Sequence, residues 1–241
     1  MQMRPMLLLV SLIALSASAV MAQSGSFQIA FHGKPVGTAE FRTVPAGEGR
    51  SSNATVHVET KGVSYAISKT ARLTAAGHLR QADLSAVVNG QAVHVTATAE
   101  AMQIRIAIAA NGRTTTTALA AHKLAVFLPD FDPSALETLL QLAAVHNSRD
   151  LWVILPKQNG VMEAVQMATY PDEKGTLDGK PAAVHHLIAS YAGVQSDLFS
   201  GPENQLLQAE LPQQGFALVR KGFVLTPPAK PLAALAEDGG K

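Results

Sequence analysis

The chain of 241 residues contains no cysteine. That absence excludes a disulfide framework, a zinc–thiolate or iron–sulfur site, and a cysteine nucleophile. Charge is also scarce: 15% of residues are charged and the formal net charge is only +1. No basic surplus exists from which to build a nucleic-acid surface. After the first 22 residues no segment is apolar enough to span a bilayer. The common nucleophile and metal motifs, G-x-S-x-G, S-x-x-K and H-E-x-x-H, are missing. What is present is a 47% hydrophobic content, ordinary for a globular chain and too high for a disordered one. The length suits one domain or two small ones with a real core.

The N-terminus reads as an export signal. Arg4 supplies the positive charge, Met6–Ala19 is uncharged and dominated by apolar residues, and Val20-Met21-Ala22 offers a cleavage site. Ala17-Ser18-Ala19 is a second such site. Removing residues 1–22 takes away Arg4 and no acid, leaving 18 basic and 18 acidic residues, a net charge of zero. The expected product is a periplasmic or extracellular protein that uses no disulfides in an oxidising compartment. Without a cysteine after the signal, a bacterial lipoprotein anchor is excluded.

The rest alternates at period two, the mark of strands with one buried face. Phe27, Ile29 and Phe31 share a face, and a turn at Gly33-Lys34-Pro35 leads into Val36–Thr43, with Gly37, Ala39 and Phe41 on one side. Pro45–Ser52 reads as a loop, and Val56 and Val58 alternate with Thr55, His57 and Glu59. Asn89-Gly90 and Asn111-Gly112 are strong hairpin signals within a meander spanning Arg80–Val88, Gln91–Glu100, Ala101–Ala110 and Arg113–Leu119. Asp132 is placed to cap a helix with Pro133 in its first turn, and Leu136, Leu139, Leu140 and Ala143 form its apolar stripe. Strands resume at Leu151–Leu155, Val161–Thr169 and Ala183–Tyr191, and end with Gln205–Leu211 and Phe216–Val224. The expectation is a mainly β chain of about ten strands. They would form a large curved antiparallel sheet, half-barrel or barrel-like, with one main α-helix around 132–145. Residues 23–225 form a single domain, and 226–241, rich in proline and glycine, a flexible tail.

Chemistry-bearing residues have few obvious groupings. His185 and His186 are neighbours in a strand and so point to opposite faces. His57 and Glu59 share a face, but two ligands do not make a metal site. Asp130 and Asp132 flank Phe131 where the chain enters the helix, and the helix dipole already explains both acids. Ser200, in Phe199-Ser200-Gly201-Pro202, reads as part of a turn near Asp197. Asn53-Ala54-Thr55 matches a glycosylation acceptor, and Thr114–Thr117 a row of hydroxyls on an exposed strand. From these residues no catalytic, cofactor-binding or metal-ligating residue is assigned, and no cofactor is expected.

The opening Phe27–Ala39, containing Gly33-Lys34-Pro35-Val36-Gly37, resembles the first hairpin of an uncharacterised bacterial periplasmic or secreted β-rich family. The end, with Leu206-Leu207, Leu211-Pro212, Gly215-Phe216 and Arg220, is similar to that family's closing hairpin. The resemblance covers most of residues 26–225 and implies the fold. It carries no catalytic residues, although similar modules precede secreted α/β-hydrolase domains; here the hydrolase domain is expected to be missing.

The function expected from these readings is that of a non-enzymatic exported β-domain. It would bind an apolar ligand such as a lipid, an envelope component, or an envelope protein partner, and neither nucleic acid nor membrane through a spanning segment. The alternative is a cell-envelope hydrolase drawing on His186, Asp197 and Ser200, or an accessory module of a secreted hydrolase. A third reading is an assembly module whose edge strands pair with other chains.

Overall fold

The computed structural model describes residues 22–146 and 150–226. The expected signal (1–22, apart from Ala22) and the tail beyond Thr226 lie outside the described residues. Among the described residues there are 18 strands and one α-helix. None of the helices is long and apolar enough to cross a membrane.

The first eight strands form an unbroken antiparallel meander: β1 (Gln23–Phe31), β2 (Lys34–Ala46), β3 (Gly49–Glu59), β4 (Ser64–Thr74), β5 (Leu79–Val88), β6 (Gln91–Ala99), β7 (Gln103–Ala110) and β8 (Arg113–Ala120). Alternation drives it. In β3, Ala54, Val56 and Val58 are buried, while Asn53, Thr55, His57 and Glu59 face solvent. The Asn-Gly turns form as expected, with left-handed φ at Asn89 (49°), Gly90 (80°), Asn111 (53°) and Gly112 (71°), the twist that hairpins favour.

The chain then leaves the sheet. Strand β9 (Ala125–Phe127), helix α1 (Pro133–Val145), β10 (Trp152–Leu155) and β11 (Val161–Ala164) build a small second sheet, ordered β11-β10-β9. Here β9 and β10 run parallel, because α1 supplies the crossover a parallel pair needs. The chain returns as β12 (Gln166–Thr169), β13 (Glu173–Leu177), β14 (Lys180–Tyr191), β15 (Val194–Ser200), β16 (Leu206–Leu211), β17 (Phe216–Arg220) and β18 (Phe223–Thr226). Strand β17 pairs with β1, so both halves join in one 15-stranded sheet with β8 and β18 at the ends of its path. The sheet curls but does not close. Its concave side packs on α1 and the small sheet around one continuous apolar core. A smaller cluster, Val184, Phe199, Leu207, Phe223 and Leu225, fills the outer side of the C-terminal strands.

Several sequence expectations are corrected. Pro45–Ser52 is not a loop: β2 and β3 run through it with only Gly47-Glu48 between them. The opening turn sits at His32-Gly33, and Lys34 and Pro35 belong to β2. Val161–Thr169 is two strands in different sheets, and Phe216–Val224 is interrupted by a turn at Lys221-Gly222. Strands β4, β9, β13 and β15 were not anticipated, which puts the count well above ten. Strand β15 ends at Ser200, so Phe199 and Ser200 lie in a strand and the turn begins after them. Its turn is hidden in sequence because Ala192, an unusual left-handed residue at φ 49°, precedes Gly193.

Gly37 of β2 is required by close packing. A Cβ there would lie 2.0 Å from the His57 carbonyl oxygen, a backbone atom that cannot swing away. We expect Gly37→Ala to cost about 1–3 kcal/mol through overpacking. Urea unfolding followed by Trp152 fluorescence measures it; an unchanged midpoint would show that β2 and β3 separate more easily than their register implies.

Candidate functional site

The helix is pinned to the sheet by buried charges. Asp132 caps α1: its Oδ1 accepts from the backbone N–H of Ser134 (2.9 Å) and Ala135 (3.1 Å) and from the Ser134 hydroxyl (2.7 Å). Its other oxygen pairs with Lys69 of β4, whose ammonium also donates to Ser134 Oγ at 3.0 Å. The two charged side chains are only 3% and 0% exposed. One turn further along, Glu137 Oε2 accepts from Leu206 N–H (3.0 Å) and lies 3.4 Å from Arg220 Nη2. Arg220 also donates to the carbonyls of Leu206 (2.7 Å) and Ser24 (3.1 Å), and lies over the Phe27 ring at 5.0 Å. Burial raises the Glu137 carboxyl above its ordinary range, against the opposing effects of Leu206 N–H and Arg220. Burial likewise lowers the Arg220 guanidinium, against Glu137 and Asp178. These groups hold α1 across the concave side of the sheet.

With α1 fixed there, the sheet and the loops beside the helix leave a cleft of about 510 Å³. One wall is the concave face of β4–β7. Cross-strand register places Ile67 opposite Ala86, Leu84 opposite Val95 and Val95 opposite Ile108, so these apolar side chains share one surface. The other wall comes from Leu128-Pro129-Asp130 and from Pro156, Lys157 and Asn159. Asn89 and Gln91 border it at the β5–β6 turn, and Tyr65 stands beside Asp130. Burial, reinforced by the nearby Asp130 and Asp132 carboxylates, pushes the Tyr65 phenol up, so it stays neutral. Asp130 and Lys157 form an ion pair at 2.7 Å across the two loops, with Lys157 48% and Asp130 35% exposed.

Phe131 separates the two acids that flank it. It adopts φ 57°, a left-handed conformation rare for a bulky residue. Its ring packs against Phe216 (4.9 Å between centroids) and edge-on to Tyr65 (6.3 Å). Asp130 therefore lines the cleft while Asp132 caps the helix.

The other sequence candidates fall out as follows. His57 and Glu59 share the solvent face as expected, and no group of three or more His, Asp or Glu side chains is gathered for a metal among the described residues. His185 and His186 do take opposite faces: His185 meets Asp172 at 3.0 Å, and His186 Nε2 meets Asp197 Oδ1 at 2.9 Å. His186 stacks on Phe199 at 4.5 Å, on the outer side of the sheet and away from the cleft. Ser200 does not join them. It pairs with His185, whereas His186 pairs with Phe199, so Ser200 shares a face with the wrong histidine. Its buried hydroxyl has no hydrogen-bond partner among the described residues. Near Asp197, burial and that carboxylate raise Glu210, opposed by its 2.6 Å hydrogen bond from Gln208. Asn53 is exposed and accepts from Thr70 at 2.8 Å. Thr114–Thr117 are exposed on β8, as the sequence suggested.

The cleft-lining Tyr65 and Lys157 and the anchors Lys69 and Glu137 escaped the sequence reading. The one signal available was phase: Lys69 occurs in register with Ile67, Ala71 and Leu73, where alternation demands an apolar residue.

No protein-family model matches the chain, and no curated protein matches it. Its fold is similar to that of a β-barrel-like protein of the domain of unknown function DUF1849 from Brucella abortus. The TM-score is 0.54 at 11% identity, over 84% of this chain and 96% of that one. A DUF1089 family protein from Pseudomonas aeruginosa aligns with a TM-score of 0.39 and 11% identity, over 83% of this chain and 94% of that one. The first likeness shows the barrel-like β fold and nothing about activity.

Proposed function

We propose that the protein is a non-enzymatic, exported β-domain that binds an apolar ligand, and that the ligand lies in the concave cleft between β4–β7 and the loops at 128–130 and 156–159. The cleft carries the reading. Its volume of about 510 Å³ falls within the roughly 300–1,000 Å³ of small-molecule sites. It is walled on one side by aliphatic side chains, with a few polar groups opposite, the usual division between affinity and orientation. Export rests on the signal-like N-terminus. The hydrolase reading lacks its assembled centre, since His186 and Asp197 pair without Ser200.

The neutral fluorescent dye N-phenyl-1-naphthylamine tests the cleft. We expect saturable binding at one site. Ala86→Trp and Ala110→Phe, which fill the sheet wall from two strands, should each weaken it by at least about tenfold while leaving the circular dichroism unchanged. Binding that survives both substitutions in folded protein would sink the proposal.

A further inference from the structure

The cleft's polar groups say what kind of ligand suits it, an inference that rests on the cleft being the binding site. Among the described residues, Asp130 and Lys157 are the only charged side chains lining it, and they are paired to each other at 2.7 Å. Behind them Asp132 and Lys69 form a second, buried pair. The Tyr65 phenol adds no charge. Opposite stands the sheet wall, which apart from Tyr65 is lined mainly by aliphatic side chains and carries no charge.

We infer that the cleft selects an amphiphile with a single apolar chain and an uncharged, hydroxyl-bearing head, which donates to Asp130 and accepts from Lys157. A carboxylate or phosphate head could accept from Lys157, but only against the Asp130 carboxylate 2.7 Å from that ammonium. An ammonium head meets the reverse conflict with Lys157. Like charges brought together at a binding surface are costly, and such repulsion is how a site rejects close analogues. A hydroxyl satisfies both members of the pair without separating them, because it is both donor and acceptor. Asp130 and Lys157 are exposed enough to accept a new partner, unlike the Lys69–Asp132 pair. The chain of such a ligand would lie along Ile67, Leu84 and Val95.

The test compares three ligands with one chain and different heads: dodecanol, dodecanoate and dodecylammonium. Each displaces N-phenyl-1-naphthylamine from the full chain at neutral pH, dodecanol below its solubility limit and the two ions below their micelle concentrations. We expect dodecanol to bind at least about tenfold more tightly than either ion. Lys157→Met leaves Asp130 alone and should shift the preference to dodecylammonium. Asp130→Asn leaves Lys157 alone and should shift it to dodecanoate. Opposite shifts from two partly exposed sites cannot come from a general loss of folding. If the ions equal dodecanol in the wild type, or if neither substitution changes the order, the inference is overturned while the cleft remains a binding site. If none of the three ligands displaces the dye, the binding site itself is also overturned.

Discussion

Replacing Lys69 with methionine is expected to remove about 3–5 kcal/mol of stability. Domains of this kind have only about 5–15 kcal/mol to lose. The loss follows from what remains. Methionine fills much of the space, but the Asp132 carboxylate, 0% exposed, would stay behind without its counter-charge. A buried charge without a partner costs far more than a well-made pair gains. Asp132 cannot simply move into water, because its Oδ1 caps α1 through Ser134 and Ala135. The melting temperature should fall by roughly 10 °C or more. The double variant Lys69→Met/Asp132→Asn separates charge from packing. Asparagine remains a good helix cap, so most of the stability should return. Urea unfolding of the two variants against wild type measures the difference. A double variant as unstable as the single one would mean that Lys69 matters for its packing and not for its charge.

This pair also shows where sequence reasoning reached and where it stopped. The Asp132 cap, Pro133 behind it and the helix were legible, because capping is local chemistry. The partner 63 positions earlier in the chain was not. Strand β4 alternates as cleanly as β3, but a lysine at one inward position disguises it as a polar stretch. The mainly β fold and the curved, antiparallel sheet were readable from alternation and Asn-Gly turns. The parallel β9–β10 pair was not, since three buried residues, Ala125–Phe127, give no periodicity to read. The cleft itself lay beyond sequence. It forms from strands β4–β7 and from loops far along the chain, so only the fold brings Tyr65 near Asp130 and Lys157. The His186–Asp197 contact depended on register, and register also took Ser200 out of it. That required knowing that Phe199 and Ser200 lie in a strand and not in a turn.

Register likewise places Arg220 beneath the helix, where its removal should be as damaging as that of Lys69. Arg220→Met would leave Glu137 without its guanidinium and the carbonyls of Leu206 and Ser24 without that donor. It would also remove the cation from the Phe27 and Phe41 rings. About 3–5 kcal/mol is again expected. The two losses should differ in pH dependence. Burial outweighs attraction at Glu137, so its folded pKa is raised above the ordinary 4.5. The folded protein therefore holds this proton more tightly than the unfolded chain. Its contribution is fully present below about 4.5 and is lost as pH rises through the folded value. Arg220 is one of the groups that restrain this rise. Without it, the folded value climbs further and the loss extends to higher pH. The penalty of Arg220→Met should therefore be larger at neutral pH than near pH 4.5, where protonation relieves the stranded carboxylate. Glu137→Gln/Arg220→Met should remove that pH dependence, because an amide has nothing to ionise. Unfolding free energies of wild type and both variants across this range provide the check. A penalty that is the same at both ends would show that Glu137 can reach solvent once Arg220 is gone, and that the guanidinium stabilises the fold through its bonds to the Leu206 and Ser24 carbonyls of the neighbouring strands and not through α1.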